Sequence, residues 1–549
     1  MRLTSADPTS DDVWLGLQRP VYAAGSFLDR GGAVSWLARI LSGALAVACA
    51  GCLVIFQGGS LEQSGRSELQ TPRQVDSAMK AFFVDGSTAV FPSGGHITED
   101  SILGDGTLYS LGLADTTRVT ALPLDALVGI EAFQGSTNGP ASFLASVSLT
   151  AAAGFGSVVL FKALFGSCPT FYTATADGEL LQAEAFSYSI APLLEGRDLD
   201  AITLRPDADG VLRLELRNEA LETHYINHLD LLAVDHAPGT RVIPNDRGVP
   251  IGVVEEVPPL DAIDGSGRRV LSSIHASDDR AFASLDERIA NTTSEDPSDF
   301  VELTFPRPAS EDAVLVLRVR NSLLTTVLFY DLMLGQAGVG ALDWIGRDMA
   351  RIGTVVEMGK WFQESMGMRV EAHDGDGWVE VGRVPDTGPI AWEEVGVRVP
   401  VDDGDVVRLR LRFLTDAWRI DRVSLGKATR IGGESRIPIA RVIDDGVLVD
   451  DSIIRRMAVP DDDYLATYPG TSVSLEFDPT SQRPGLERSY LLASQGYYTE
   501  WVRPEWLRGA QEPEIFRPGE DTVEALMALW LSKKDDFEAD FYSSKIPVR

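Results

Sequence analysis

Runs of alternating apolar and polar residues, each cut short by a turn signal, constrain this chain more than any other feature. "DGVLRLELRNEA" (209–220), "DAVLVLRVRN" (312–321), "GWVEVGRV" (377–384), "DVVRLRLRFL" (405–414), "WRIDRVSL" (418–425) and "TSVSLEFD" (471–478) all have strand length. A side-chain repeat of two places alternate residues on opposite faces of a strand, so each run can bury one face against a core. Asp85-Gly86 and Asp105-Gly106 stand between such runs as hairpin dipeptides, and Asp209-Gly210 supplies a turn. The pattern predicts a mainly β protein: a small barrel-like β-domain of four or five strands at 77–135, then β-sandwich-like modules at 167–340, 341–430 (with a helix) and 431–549. Helical spacing occurs in "IGRDMARIGTVVEMGKWFQESMG" (345–367) and near the end at Thr522–Lys534, where Glu comes early and Lys late, as the helix dipole favours.

Two apolar runs interrupt this pattern. Ile40–Phe56 is seventeen residues without a charge, preceded by Trp36 and Arg39. It is short for a spanning helix, which needs about 20 apolar residues, and it suits a secretory signal at 36–56. Cys49-Ala50-Gly51-Cys52 resembles a bacterial lipobox, with Cys49 where Leu is usual, so Cys52 is the expected lipid-attachment residue. A retained membrane helix is the other reading. Residues 1–35 are a polar extension, expected to be disordered, and 57–76 a polar linker. Ala141–Phe161, inside an expected second hydrophobic helix at 139–165, is 21 residues without a charge. That is bilayer length, although its Ala, Gly and Ser content also fits a helix buried in protein.

Composition narrows the function classes. The 549 residues carry 81 acidic and 48 basic side chains, a formal net charge of −33, which disfavours nucleic acid as a partner. Three cysteines cannot make a disulfide framework, and the Cys49-x-x-Cys52 pair lies in an apolar segment, the wrong setting for an exposed redox thiolate. Nucleophile-elbow, Walker and dinucleotide-binding glycine motifs are absent from the sequence, so neither a cofactor nor a catalytic residue is expected.

Three of the six histidines fall within His224–His236. On a helix His224 and His228 would share a face, but "INHLDLLAVDH" (226–236) alternates as a strand, with His224 just ahead of it. On a strand His228 and His236 are too far apart for one ion. No metal site is expected there, and His224 and His228 stand only as candidate ligand contacts. Acidic turns at "PDADG" (206–210), "HDGDGW" (373–378), "VDDGD" (401–405) and "IDDGVLVDD" (443–451) lack the ligand spacing of a calcium loop and read as hairpin turns. "GYYTEWVRPEW" (496–506) offers Trp501 and Trp506 as candidates for a sugar-stacking face, against the plainer reading of buried aromatics.

"YINHLDLLAVDHAPGTRVIPNDRG" (225–248), "AIDGSGRRV" (262–270), "FLTDAWRIDRVSL" (413–425) and "ERSYLLASQGYYTEW" (487–501) resemble, in the same order, the C-terminal β-rich region of ASPIC/UnbV-type proteins. Those are secreted bacterial proteins in which the region follows FG-GAP repeats; this chain has membrane-type segments in place of the repeats. "SCPTFY" (167–172) is similar to the start of the same module in membrane-anchored proteins. The resemblance implies location and architecture and supplies no reaction. The expected role is therefore a membrane-anchored extracytoplasmic β-protein serving interaction or envelope structure. Its expected partners are membrane lipid and a protein or glycan. A carbohydrate-binding protein or a hydrolase without a recognisable motif is the alternative.

Overall fold

A computed structural model describes chiefly residues 61–65, 72–133, 168–500 and 521–546, the last three with short interruptions. Cys52, Trp501, Trp506 and the two apolar runs lie outside the described residues. Among the described residues the protein is mainly β, with five sheets. No described helix is long and apolar enough to cross a membrane.

The N-terminal sheet has eight strands between Leu61 and Phe133, more than the four or five expected. Two of them, Leu61–Gly65 and Arg73–Val75, arise in the segment expected to be a linker. The sheet is open, its path ending on those same two strands rather than closing into a ring. Met79–Phe83 and Thr88–Phe91 pair as the hairpin that the alternation around Asp85-Gly86 implies. Asp105-Gly106 is a different case and corrects the turn expected there. It lies inside the strand Ser101–Tyr109, at a register shift against the next strand. Glycine is needed there because a Cβ on Gly106 would meet the Phe91 ring at 2.6 Å. The dipeptide serves a close approach, not a reversal.

The other four sheets form two face-to-face pairs. The first pair joins a six-stranded sheet, with Gly178–Glu184 on its path, to a five-stranded sheet built on Glu222–His236 and Glu487–Glu500. Leu214, Leu216, Leu229, Leu231, Val473, Leu475 and Leu492 fill the space between them. The second pair is made by the strands between Arg241 and Thr429, with Val301, Leu315, Leu317, Val397, Leu409, Leu411 and Val423 in its core. Strand pairing is thus not linear along the chain. Strands from 170–236 share both sheets of the first pair with strands from 434–500, so segments expected as the separate modules 167–340 and 431–549 exchange strands.

Burial explains the two sequence textures seen in these strands. Ala313–Asn321 is hydrogen-bonded on both edges, to Glu393–Val399 and to Trp418–Thr429. It is apolar almost throughout because Leu315 and Leu317 enter one core while Val314 and Val316 enter another. Val406–Leu414 alternates because only one of its faces, carrying Leu409, Leu411 and Phe413, is buried. A smaller apolar seam, with Leu199, Leu232, Val234, Leu491 and Ala493 from the first pair and Val242 from the second, binds the two pairs together.

Two helices close the assembly. Ile352–Ser365 falls inside the sequence window expected to be helical. Thr522–Asp540 begins at the expected residue and runs further, burying Leu526, Met527, Trp530 and Phe537 in the core of the second pair.

A candidate site where three sheet edges meet

Gly178–Glu184, Gly196–Ile202 and Glu393–Val399 are each the terminal strand of a different sheet. Unpaired edges of this kind are usually shielded by charge or by a covering element. Here the three edges are brought together, and each carries carboxylates to the junction. Asp198 and Asp200 are two apart on one strand and so share a face. Glu184 ends the second strand, Glu393 begins the third, and Asp386 lies in the segment leading into it.

Each carboxylate is held differently. Asp198 accepts hydrogen bonds from the backbone N–H of Phe186 (3.0 Å) and Leu199 (2.9 Å). Glu184 accepts from the N–H of Ile390 (2.7 Å) and Ala391 (3.2 Å) through one oxygen, while its other oxygen has no hydrogen-bond partner. Asp386 accepts from the Ser187 hydroxyl at 3.4 Å and also leaves one oxygen without a partner. Asp200 is the extreme case: it is 3% exposed, and neither carboxylate oxygen has a hydrogen-bond partner.

Burial, reinforced by mutual repulsion, raises the proton affinity of the whole group. Glu184 is pushed up to about 8 and Asp386 to about 7, in both cases chiefly by desolvation. Asp198 is raised by burial against the opposing pull of its two N–H donors. Asp200 and Glu393 lie well above the carboxylate range, through burial first and then through the charges of neighbouring acids. Among the described residues no Lys, Arg or His is ion-paired with any of the five. Arg320 favours ionisation of Glu184, acting less strongly than burial opposes it.

The junction floors a cleft of about 920 Å³. Leu193, Phe329, Met333 and Met358 supply apolar wall, and Arg197, Arg247, Lys360 and Arg383 are the basic groups lining it. Tyr188 stands among the carboxylates, its hydroxyl donating to the Arg197 carbonyl at 3.1 Å. Ligand oxygens of Asp198, Asp200 and Glu393 all lie within 4.8 Å of one another, so these three are the described residues best placed to hold a cation.

Gly388 fixes how closely the segment can approach Glu184. It sits at φ +80°, and a Cβ there would meet the Glu184 carboxylate carbon at 2.6 Å. Gly388→Ala should cost about 2 kcal/mol or more, since the left-handed conformation alone costs roughly 1–2 kcal/mol for an L-residue. A lowered denaturation midpoint would register this, and an unchanged midpoint would mean that the segment moves away freely.

The residues singled out from the sequence lie elsewhere. His224 is inside the strand Glu222–His236 rather than ahead of it, fully buried, with Nε2 3.4 Å from Glu222 Oε2. His228 lies beyond a bulge in the same strand, between the Met457 carbonyl (3.1 Å) and Asp230 (2.9 Å). Of the aromatic stretch at 496–506, Tyr497 is buried against Tyr225 with ring centroids 4.7 Å apart, and Tyr498 reaches the cleft. The junction carboxylates escaped sequence reasoning because acids are common in this chain. "RDLDAI" (197–202) held a signal, two Asp on one face of a strand, but nothing in the sequence linked it to Glu393.

The chain matches no family model and no curated protein. Among solved structures, the crystal structure of tripeptidyl peptidase 2 (TPP II) has a TM-score of 0.12 at 9% sequence identity, covering 89% of this chain and 32% of that one. A likeness of that size carries no argument about fold or function.

Proposed function

We propose that this chain is a bacterial cell-envelope protein that works by binding, with the carboxylate-floored cleft as its ligand site. The observation that carries the reading is the convergence of three sheet edges on one cleft, each edge bringing acids with no ion-paired basic group among the described residues. Rigid strands make a pre-formed site, and a cleft of about 920 Å³ falls in the usual range for ligand pockets, roughly 300–1,000 Å³. Carboxylates accept from hydroxyls, and Phe329 and Tyr188 give apolar faces, which together suit a glycan segment without acidic groups. The envelope placement draws on the apolar runs, with Cys52 as the proposed lipid anchor, and on the resemblance of 225–248 to ASPIC/UnbV-type proteins.

A hydrolase is the second reading, favoured by one specific observation. Glu184 and Asp386 hold their protons near neutral pH, the state that the general acid of glycoside hydrolysis requires, and further carboxylates stand beside them.

The test is a screen of the full chain in detergent against soluble α-linked and β-linked neutral polysaccharide fragments, followed by titration of any hit. Leu193 is an exposed part of the wall, so Leu193→Trp should abolish saturable binding without changing the fold. Binding that survives Leu193→Trp, or no saturable binding in either class, would refute the cleft as the ligand site. Release of new reducing ends, lost in Asp386→Asn, would select the hydrolase.

A further inference from the structure

We infer that Asp198, Asp200 and Glu393 form a binding site for one divalent cation of the calcium class, set at the edge-strand junction. The site is on the cleft floor but does not depend on the cleft having an organic ligand.

Three observations converge on it. The first is distance: all three ligand oxygens lie within 4.8 Å of one another. That is the span available to oxygens around one calcium ion, at a usual Ca–O distance of about 2.4 Å. The second is Asp200. A carboxylate 3% exposed with both oxygens lacking any hydrogen-bond donor is costly to bury, and coordination to a metal ion is a standard resolution. Both its oxygens are free to bind in a bidentate manner. The third is pre-orientation. The Phe186 and Leu199 N–H groups fix both oxygens of Asp198 and leave each with a second lone pair, the supporting arrangement expected behind a metal ligand.

The donor set selects the metal. Three carboxylates, with no sulfur or imidazole among them, favour hard cations over zinc or copper. Magnesium prefers to keep most of its water and demands strict octahedral geometry, whereas calcium accepts several carboxylates in an irregular shell. Asp198 and Glu393 also line the cleft, so the remaining coordination positions face solvent and can be filled by water. Because Asp198 and Asp200 belong to one sheet and Glu393 to another, the ion would staple the two sheet pairs together.

Without an ion, the same three groups can remain neutral by keeping protons, and the test separates that state from a true site. Full-length protein stripped with chelator is titrated with terbium, read by luminescence sensitised through Tyr188, and the terbium is then displaced with calcium. One terbium per chain is expected, displaced by calcium at much lower concentration than by magnesium. Calcium should also raise the midpoint of thermal unfolding. The double variant Asp200→Asn, Glu393→Gln should lose both responses, yet unfold no earlier than the metal-free wild type, because each amide matches in shape the carboxyl it replaces and carries no charge. No stoichiometric binding at millimolar calcium would overturn the site. So would binding retained by the double variant, which would place the ion elsewhere, and magnesium binding as tight as calcium would overturn the calcium class. The glycan screen with Leu193→Trp reports on the cleft ligand alone, so either proposal can fail while the other stands.

Discussion

Asp416→Ala should destabilise the protein by about 3–5 kcal/mol, the usual cost of removing one partner from a buried ion pair, and should free the C-terminal helix. Asp416 is fully buried, and its backbone sits at φ +60°. Its carboxylate accepts from Arg419 (2.8 Å), from the Trp530 indole N–H (2.9 Å) and from Lys534 (3.3 Å), while Ser284 closes the loop with a pair of hydrogen bonds. Trp530 and Lys534 both belong to Thr522–Asp540, so one side chain latches that helix onto the second sheet pair. Alanine would leave Arg419 with Glu538 (2.8 Å) at the rim as its one carboxylate partner among the described residues and the Trp530 N–H without its acceptor. Asp416→Asn keeps the shape and one acceptor oxygen, so its loss should be intermediate. Hydrogen exchange across 522–540 separates the latch from general destabilisation. Helix amides should exchange faster in Asp416→Ala under conditions where Ala313–Asn321 stays protected, and equal acceleration in both elements would sink the latch.

The latch and the cleft mark the limit of what the sequence could show. Ala313–Asn321 and Val406–Leu414 were legible because period-two patterning is local, and burial on one or two faces writes itself directly into residue choice. The strand reading of 226–236 was legible for the same reason, with Leu229, Leu231 and Ala233 in one core and Leu232 and Val234 in another. The start of that strand was not, because His224 and Glu222 are polar residues buried through partners found only in three dimensions. Asp105-Gly106 misled because a glycine that admits the Phe91 ring looks the same in sequence as a glycine that makes a turn. The junction was the least legible of all. Glu184, Asp198 and Glu393 become neighbours only when three sheet edges meet, and edge pairing is a long-range property with no spacing rule. What distinguishes these acids is that no basic group among the described residues is ion-paired with them, and partners are not visible in a linear chain.

Protein kept free of metal should lose stability steadily as pH rises from about 5 to 8, opposite to the slope expected of a chain held by salt bridges. The sign follows from the direction of the shifts. Glu184 moves from an ordinary 4.5 to about 8 and Asp386 from 3.8 to about 7, burial being the main cause of each. A folded-state value above the unfolded one means that the native protein keeps a proton the unfolded chain has released. The resulting stabilisation is complete below about pH 4 and is lost as pH climbs through the folded value. At about 1.4 kcal/mol per tenfold change in proton affinity, Glu184 alone spans on the order of 5 kcal/mol. Its surroundings do not reverse this: the Ile390 and Ala391 N–H groups and Arg320 favour the charged form, but less strongly than burial opposes it. Around Asp386, Ser187 and the Gly388 N–H act in the same sense, and Asp198 adds repulsion. Carboxylates with lowered values, such as Asp209 at about 2 and the Arg-paired Asp235 and Glu476, titrate below this window and add no slope within it. Denaturant midpoints at pH 5, 6.5 and 8 in excess chelator should therefore fall in the wild type. Glu184→Gln, which stays neutral, should flatten the fall and overtake the wild type at pH 8. A wild-type midpoint that holds or rises between pH 5 and 8 would show that these acids are ionised at no cost, and that burial at the junction is not what holds their protons.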